Sequence, residues 1–436
     1  MDILLATHNF LPHHTGGTEI YVLNLAKFLI KKGHKITIMA AIDSKSIKQH
    51  RIIYYDNNLE ICSYLYDELT VLGVEYKQIS TEQIYSKKSN KHRDSLISFF
   101  ANMHFDILHI NGFTATIGLD LLYALKEKSS DIKVISSFHT AISDPKETLT
   151  FANMLTEQDG KINPTADVLS YRFNIPYWLT KTIYRLLPNH NFSFLPALFN
   201  IKYLINQNVK SFEQLKTGTD EWWVYSNGIR KHLIASGVKE NIIKFERHGI
   251  SSIFIGNKNI ATKPIKFLFN GRAVKIKGFH TLLKSWLSLP DNDDKQLWVT
   301  GEPVSNDRSI ELLIKKSKIR KDVKWLGVLS QEQLAEVYLQ VHTVIIPSEC
   351  YETGPLVFHE AMACECNVIA SDIGGCKELA QLYHDSAVMF KTGNSTDLQL
   401  KIQSSIKNTN VNKNRNPILS FEEHFISLFK QSSFYD

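Results

Sequence analysis

The sequence lacks what would place it in a membrane or in an oxidising compartment. No uninterrupted apolar run approaches the ~18 residues needed to span a bilayer. Cysteine is scarce: five residues in 436, an odd number with no framework spacing, which argues against a disulfide-stapled secreted domain. Four of them, Cys350, Cys364, Cys366 and Cys376, cluster in sequence. Cys364-x-Cys366 lacks the usual spacing of a zinc pair, and all four sit among apolar strand and helix signals, so they read as small buried thiols. His8, His13 and His14 have no helical spacing to a third ligand, and no metal is expected. Met1–Ala6 has no basic lead-in and runs into Thr7–His8–Asn9, so it reads as a first strand and not a signal peptide; the expectation is a cytoplasmic protein. There is no Lys/Arg-rich block and no stacking-aromatic motif of the RNA-binding type, which excludes nucleic acid from the expected partners.

What is present is a soluble, globular composition: 43% hydrophobic and 22% charged. Fifty basic against 44 acidic residues leave +6, which suits an anionic small ligand or a weak pull towards acidic membranes. A chain of 436 residues exceeds one ordinary core, so two domains are expected. Buried-strand signals alternate with helix signals along most of the chain. Met1–Ala6, the turn Thr15–Thr18, a helix carrying Ile20, Leu23, Ala26 and Leu29, and Ile36–Ala40 make a β–turn–α–β unit. Lys31–Lys32–Gly33 ends that helix with cations and a left-handed cap. Further strands are read at Ile107–Ile110, Val134–Phe138 and Glu221–Ser226. After polar Asn257–Pro264 the alternation resumes with Ile265–Phe269, Leu297–Val299, Val323–Leu326, Val344–Ile346 and Val368–Ser371. Such alternation implies parallel sheets covered on both faces. The expected domains are 1–256, with an aromatic-rich insertion at about 141–219, and 264–410. A linker at Asn408–Pro417 leads to a C-terminal helix in 418–436, capped by Ser420 and Glu423. The insertion reads either as a helical subdomain with its own core or as an acceptor pocket or membrane-surface patch.

The most informative stretch is Pro347–Ala363, which sets Glu352 and Glu360 eight positions apart, between a strand end and a helix. Open α/β sheets bind ligands at such places, and a helix N-terminus there favours anions. The spacing alone leaves two readings open: an acid/base pair, or two acceptors for ligand hydroxyls. Asp291–Asn292–Asp293 is formally the D-x-D signature of metal–diphosphate binding, but it lies in a turn before a strand and reads as solvated.

Several segments then fall in one order: Gly16–Gly17; Asn270–Gly271–Arg272 followed by Lys277–Gly278 at what reads as a helix start; Thr300–Gly301–Glu302–Pro303; Trp325–Leu326–Gly327; Pro347–Ser348; Glu352-x₇-Glu360; Ala361–Met362–Ala363–Cys364; and Ala370–Gly375. In this register the chain resembles the retaining nucleotide-sugar glycosyltransferases of family 4. The resemblance covers the second domain well, the first loosely, and residues 141–219 barely. It implies the GT-B fold, two Rossmann-like parallel-sheet domains facing across a cleft, with the C-terminal helix packing back on the first domain.

The resemblance further implies a UDP- or GDP-sugar donor and a glycan or glycolipid acceptor, in cell-envelope polysaccharide or glycolipid assembly at the inner face of the membrane. No cofactor is implied. Arg272 and Lys277 would bind the diphosphate, Glu360 the ribose hydroxyls, and Glu352 with Thr353, Gly354, Pro355 and Leu356 the donor sugar and phosphates. Gly16, Gly17 and Gly271 would let backbone approach the phosphates. His139 would lie near the reacting sugar, whereas His109 reads as packing. A same-fold epimerase or phosphorylase, or a silent partner subunit, are the alternatives. The chain departs from the pattern at Glu365–Cys366–Asn367, where the family has Gly-x-Pro after the helix. It departs again at His248–Gly249–Ile250–Ser251, where the family has Asn–Gly–Ile–Asp.

Overall fold

The computed structural model describes residues 1–77, 90–114, 116–139, 166, 169–170, 175–190, 197–256, 263–305, 307–407 and 418–434. Much of the insertion expected at 141–219, most of the polar stretch 257–264 and all of the linker 408–417 lie outside the described residues. The chain divides into two compact units, Met1–Glu246 with Phe425–Asp436, and Arg247–His424. The division at Glu246 falls ahead of the polar stretch because Ile250 and Phe254 are already core residues of the second unit. Among the described residues no helix is long and apolar enough to cross a membrane.

The first unit is built on a nine-stranded sheet. Its elements are β1 (Asp2–Thr7), α1 (Gly17–Lys31), β2 (Lys35–Ala41), β3 (Arg51–Tyr55), β4 (Leu59–Tyr66), β5 (Leu69–Tyr76), α2 (Asn90–Phe100), β6 (Ile107–Asn111), α3 (Leu119–Lys128), β7 (Lys133–Ser137), α4 (Tyr177–Leu186), α5 (Ala197–Gly218), β8 (Glu221–Val224), α6 (Asn227–Ala235) and β9 (Ile243–Phe245). The sheet order is β3-β4-β5-β2-β1-β6-β7-β8-β9. β1 is central: Ile3 is in register with Ile36 of β2 and Ile107 of β6, both parallel. In addition to the parallel strands, β3 and β4 add an antiparallel edge on β5. Its hairpin turns at Asp67 and Glu68, both at positive φ, which suits the right-handed twist of two-residue hairpins.

Leu169, Leu187, Ile201, Leu204 and Ile205 form a small separate core around α4 and α5, as a helical subdomain would. The C-terminal segment of this unit packs Phe425 against Tyr21 and Phe28, with ring centroids 5.3 and 5.4 Å apart.

The second unit holds β10 (Ile265–Phe269), α7 (Phe279–Leu287), β11 (Lys295–Thr300), α8 (Arg308–Ser317), β12 (Val323–Gly327), α9 (Gln331–Gln340), β13 (Thr343–Ile346), α10 (Leu356–Ala363), β14 (Asn367–Ser371), α11 (Gly374–Leu382), β15 (Ala387–Phe390) and α12 (Ser395–Lys407). Helix α13 (Phe421–Gln431) follows, with Ser420 and Glu423 closing a capping box at 3.2 and 2.8 Å. All six strands are parallel, in the order β12-β11-β10-β13-β14-β15. Successive residues bury on opposite faces. Phe267, Phe269, Leu297, Ile345 and Ile369 pack in one core with Leu282 and Trp286. Leu268, Trp298, Val344, Val368 and Ala370 pack in the other with Tyr338, Phe358 and Leu379. This is the doubly wound arrangement, and its order reverses between β10 and β13, where such sheets open a ligand crevice at the carboxyl ends of the strands.

Cys350, Cys364, Cys366 and Cys376 are free and buried, as the sequence reading had it, and so is Cys62. Asp291, Asn292 and Asp293 lie in an exposed turn, also as read.

Candidate active site

Two loops of the second unit meet at that reversal: Asn270–Gly278 after β10, and Pro347–Pro355 after β13. They are stitched by Glu349 N donating to Ile276 O at 2.8 Å. Gly278 makes the approach feasible. It sits at φ +65, and a Cβ there would lie 1.7 Å from the Pro347 carbonyl oxygen. On the other side the β13 loop rests on the start of α11. Gly375 N donates to Glu352 O at 2.6 Å, and a Cβ on Gly375 would lie 2.5 Å from Gly354 N. The sequence registers Arg272/Lys277, Glu352 and Gly374–Gly375 therefore converge in space because small residues allow their backbones to touch.

Lys277 does not open a helix, as its sequence context suggested. The segment Lys275–Lys277 is a 3-10 turn, and α7 begins only at Phe279. Arg272 lies earlier in the same loop and is exposed. Lys277 thus stands one residue before Gly278, the N-cap of α7. Lys277 Nζ donates to Glu352 Oε1 at 2.6 Å, and Ser348 Oγ donates to the same oxygen at 2.8 Å. Glu352 is buried. Burial alone would push its carboxyl up, but the Lys277 charge and these hydrogen bonds outweigh it and hold the group below the usual carboxylate range. Burial likewise pulls Lys277 down, and Glu352 more than offsets it, so the lysine stays charged.

Glu360, in α10, lives in the opposite environment. Burial pushes it up to about 7, against a downward pull from the Tyr338 hydroxyl, which donates to its Oε2 at 2.8 Å. Pro355 is the N-cap of α10 and Leu356 its first residue. Thr353 is buried and Gly354 sits at φ +133. Gly271 is packed against the Phe269 ring, 3.3 Å from where a Cβ would stand.

Sequence reasoning missed three residues here. Tyr338 looks like one more apolar position of α9. Asn270 donates to it from Nδ2 at 3.3 Å. Glu349 is buried and accepts from Thr281 Oγ1 at 2.7 Å and sits 3.2 Å from His280 Nε2. A polar residue beside a strand end was the available signal for the last two.

Gly16, Gly17 and His139 belong to the first unit. Gly16 is extended at φ −159 and caps α1, whose first residue is Gly17. A Cβ on Gly16 would stand 2.6 Å from Glu19 Oε2, and His14 Nδ1 lies 3.1 Å from Glu19 Oε1. Glu19 is buried. His139 follows β7. Its ring lies 4.4 Å from Tyr21 and stacks at 4.8 Å on Tyr225, and its Nε2 is 3.2 Å from Asn111 Oδ1. His109 is wholly buried, 2.5 Å from Ser137 Oγ, and burial lowers its pKa to about 3, which fits packing.

The second unit is thus an open doubly wound sheet with a cation–carboxylate pair at its reversal. Comparison with known proteins gives the family. The description "Glycosyl transferases group 1" matches residues 252–418, and "Glycosyltransferase Family 4" matches residues 15–159. An uncharacterized glycosyltransferase of Methanocaldococcus jannaschii is 30% identical over 112 residues, 26% of this chain and 28% of that protein's length. Sucrose-phosphate synthase from Thermosynechococcus elongatus superposes with a TM-score of 0.59 at 15% identity, covering 94% of this chain and 90% of that one. Anabaena HepE in complex with UDP-glucose does so with 0.59 at 14% identity, covering 100% and 96%. The fold is GT-B, and the chain belongs to the family 4 glycosyltransferases.

Proposed function

We propose that the protein transfers a sugar from a UDP- or GDP-sugar to a hydroxyl of a glycan or glycolipid, with retention at the anomeric carbon. The observation that carries this reading is the meeting of Lys277, Glu352 and the Thr353–Leu356 backbone at the strand-order reversal of the second unit. The complex of Anabaena HepE with UDP-glucose supports a nucleotide-sugar donor. As the bond from the sugar C1 to the diphosphate oxygen breaks, negative charge builds on the leaving phosphate. Arg272 and Lys277 meet that charge, and no metal is required for it. The acceptor oxygen bonds to C1 on the same face, and its proton passes to the departing phosphate oxygen. Glu352 and Glu360 hold hydroxyls of the donor sugar and ribose. For the first unit the proposal assigns Gly16 and Gly17 to backbone contact with the phosphates and His139 to the sugar.

The acceptor is proposed to be presented at the cytoplasmic face of a membrane, in envelope polysaccharide or glycolipid assembly. Support comes from α4, where Trp178, Leu179 and Leu186 are exposed beside exposed Lys181 and Arg185. Sedimentation with anionic vesicles tests that contact, and no binding would remove it. The main test is calorimetric titration with UDP and GDP, followed by product analysis with sugar nucleotides with and without acceptor. Binding of one diphosphate and acceptor-dependent transfer are expected. Epimerised donor formed without acceptor would overturn the transfer reading.

A further inference from the structure

The Glu360 carboxylate is held by a relay of three side chains from three other parts of the second unit. Tyr338 on α9 is completely buried and donates its hydroxyl to Glu360 Oε2 at 2.8 Å. Asn270, at the end of β10, donates from Nδ2 to Tyr338 Oη at 3.3 Å. Thr300, at the end of β11, donates from Oγ1 to Asn270 Oδ1 at 2.8 Å. The direction of each bond follows from the inventory of donors. An ionised carboxylate only accepts, so Tyr338 must donate to it. The phenol oxygen is then left to accept from the Asn270 amide N–H, and the Asn270 oxygen to accept from Thr300. The relay therefore ties Glu360 to the loop that carries Gly271 and Arg272. The remaining oxygen, Oε1 of Glu360, has no hydrogen-bond partner among the described residues.

We infer that Tyr338 is a positioning residue for ligand recognition: by engaging one oxygen of Glu360 it presents the other as a fixed acceptor for a hydroxyl of the bound molecule. This rests on the reading of Glu360 as the acceptor for the donor's ribose hydroxyls. The titratable groups in play are few. Burial and the Tyr338 hydrogen bond set the Glu360 equilibrium, and no lysine or arginine among the described residues acts on it. Tyr338 itself feels Glu360, Asn270 and the Cys366 thiol.

The experiment is calorimetric titration of the full chain with UDP and 2′,3′-dideoxy-UDP, and with the guanine pair, between pH 6 and pH 8.5. In the unmodified protein the ribose form should bind tighter by about tenfold or more, the usual weight of a hydrogen bond to a charged group. Tyr338→Phe keeps the ring in its core position and removes only the hydroxyl. It should lose most of that discrimination while leaving dideoxy affinity unchanged. Its affinity should also begin to fall at a higher pH, because the bond that favours the charged form is gone. Asn270→Ala should give a smaller loss in the same direction without touching the buried ring. Absence of discrimination in the unmodified protein would overturn the ribose reading itself. Full discrimination and an unmoved pH profile in both variants would overturn the role of Tyr338 alone.

Discussion

The surroundings of Glu352 and of Glu360 differ first of all in a cation. Both carboxylates are 7% exposed, eight positions apart on one stretch of chain. Glu352 accepts from a lysine at 2.6 Å and a serine at 2.8 Å and is held ionised. Glu360 accepts from a neutral phenol at 2.8 Å and is pushed up to about 7. At equal burial, a cation in contact and the hydrogen bonds of Lys277, Ser348 and Cys350 carry Glu352 down, where Glu360 has one phenol to set against burial. The two glutamates of the motif are thus a permanent anion and a group poised near neutrality. This is also the pattern of an acid/base pair, but each is fastened to its own partner, which suits holding hydroxyls.

The strongest way to break the comparison is to remove the cation. Lys277→Ala should lower turnover in sugar transfer by about 10²-fold or more, the usual loss when a transition-state electrostatic contact goes. It should also make Glu352 behave as Glu360 does, because a buried carboxylate without a cation takes up protons. The pH profile of nucleotide binding would then gain a second group titrating upward from the ordinary range. A kcat like that of the unmodified protein in Lys277→Ala would sink the assignment. Lys277→Arg keeps the charge and should retain part of the activity.

A smaller effect concerns stability, and here the two glutamates have opposite signs. Folded Glu360 keeps its proton up to about 7, against the ordinary 4.5. Between those values the folded chain binds more protons than the unfolded chain, so this group costs stability as pH rises through the window. Glu352 releases its proton earlier when folded, so its contribution is present above the ordinary carboxylate range and lost as pH falls. Glu360→Gln should therefore stabilise the chain at pH 8, by up to about 3 kcal/mol, and hardly at all at pH 4. Thermal melts at the two pH values check this. An unchanged pH dependence in Glu360→Gln would show that Glu360 ionises normally. The same substitution should weaken nucleotide binding, so stability and recognition are set against each other at this position.

The second unit was the more legible part of the sequence, for a physical reason. Its parallel strands are buried on both faces and read as apolar runs such as Val344–Ile346 between helical stretches. The first unit's antiparallel edge, Arg51–Tyr76, was passed over. Ile52–Tyr55 is an apolar run that stays largely at the surface, and Leu65 of β4 is exposed too, so composition there does not report burial. At the site, Arg272, Lys277 and Glu352 were visible as charges in loops after strands, and Glu360 by its place eight positions after Glu352. Tyr338 was not, because its hydroxyl partner Asn270 lies far away in sequence and its ring sits among Leu334, Ala335 and Val337 as an ordinary core residue. Lys277 was placed at a helix start because nothing in Ala273–Gly278 distinguishes a 3-10 turn from a first α-turn.

The smallest predicted effect sharpens the comparison by changing the stability of the helix that carries Glu360 without touching either carboxylate. Helix α10 ends in the same paired hydrogen bonds as α1 and α6. Glu365 N donates to Met362 O at 3.2 Å and Cys366 N to Ala361 O at 2.8 Å, just as Gly33 and His34 close α1 and Gly237 and Val238 close α6. The left-handed residue is glycine in those two, at φ +85 and +82, but it is Glu365 in α10, at φ +53. A side chain there costs ~1–2 kcal/mol, and glycine adds ~0.4–1 kcal/mol of unfolded-chain freedom. Glu365→Gly should thus stabilise by about 0.5 kcal/mol, by the same amount at pH 5 and at pH 8, with nucleotide affinity unchanged. Equal shifts in the two melts would assign the pH slope to the carboxylate environments alone. A shift confined to one pH, or a change in affinity, would mean that the backbone of α10 helps set the Glu360 equilibrium, and the contrast with Glu352 would then no longer reduce to the side-chain partners of the two carboxylates.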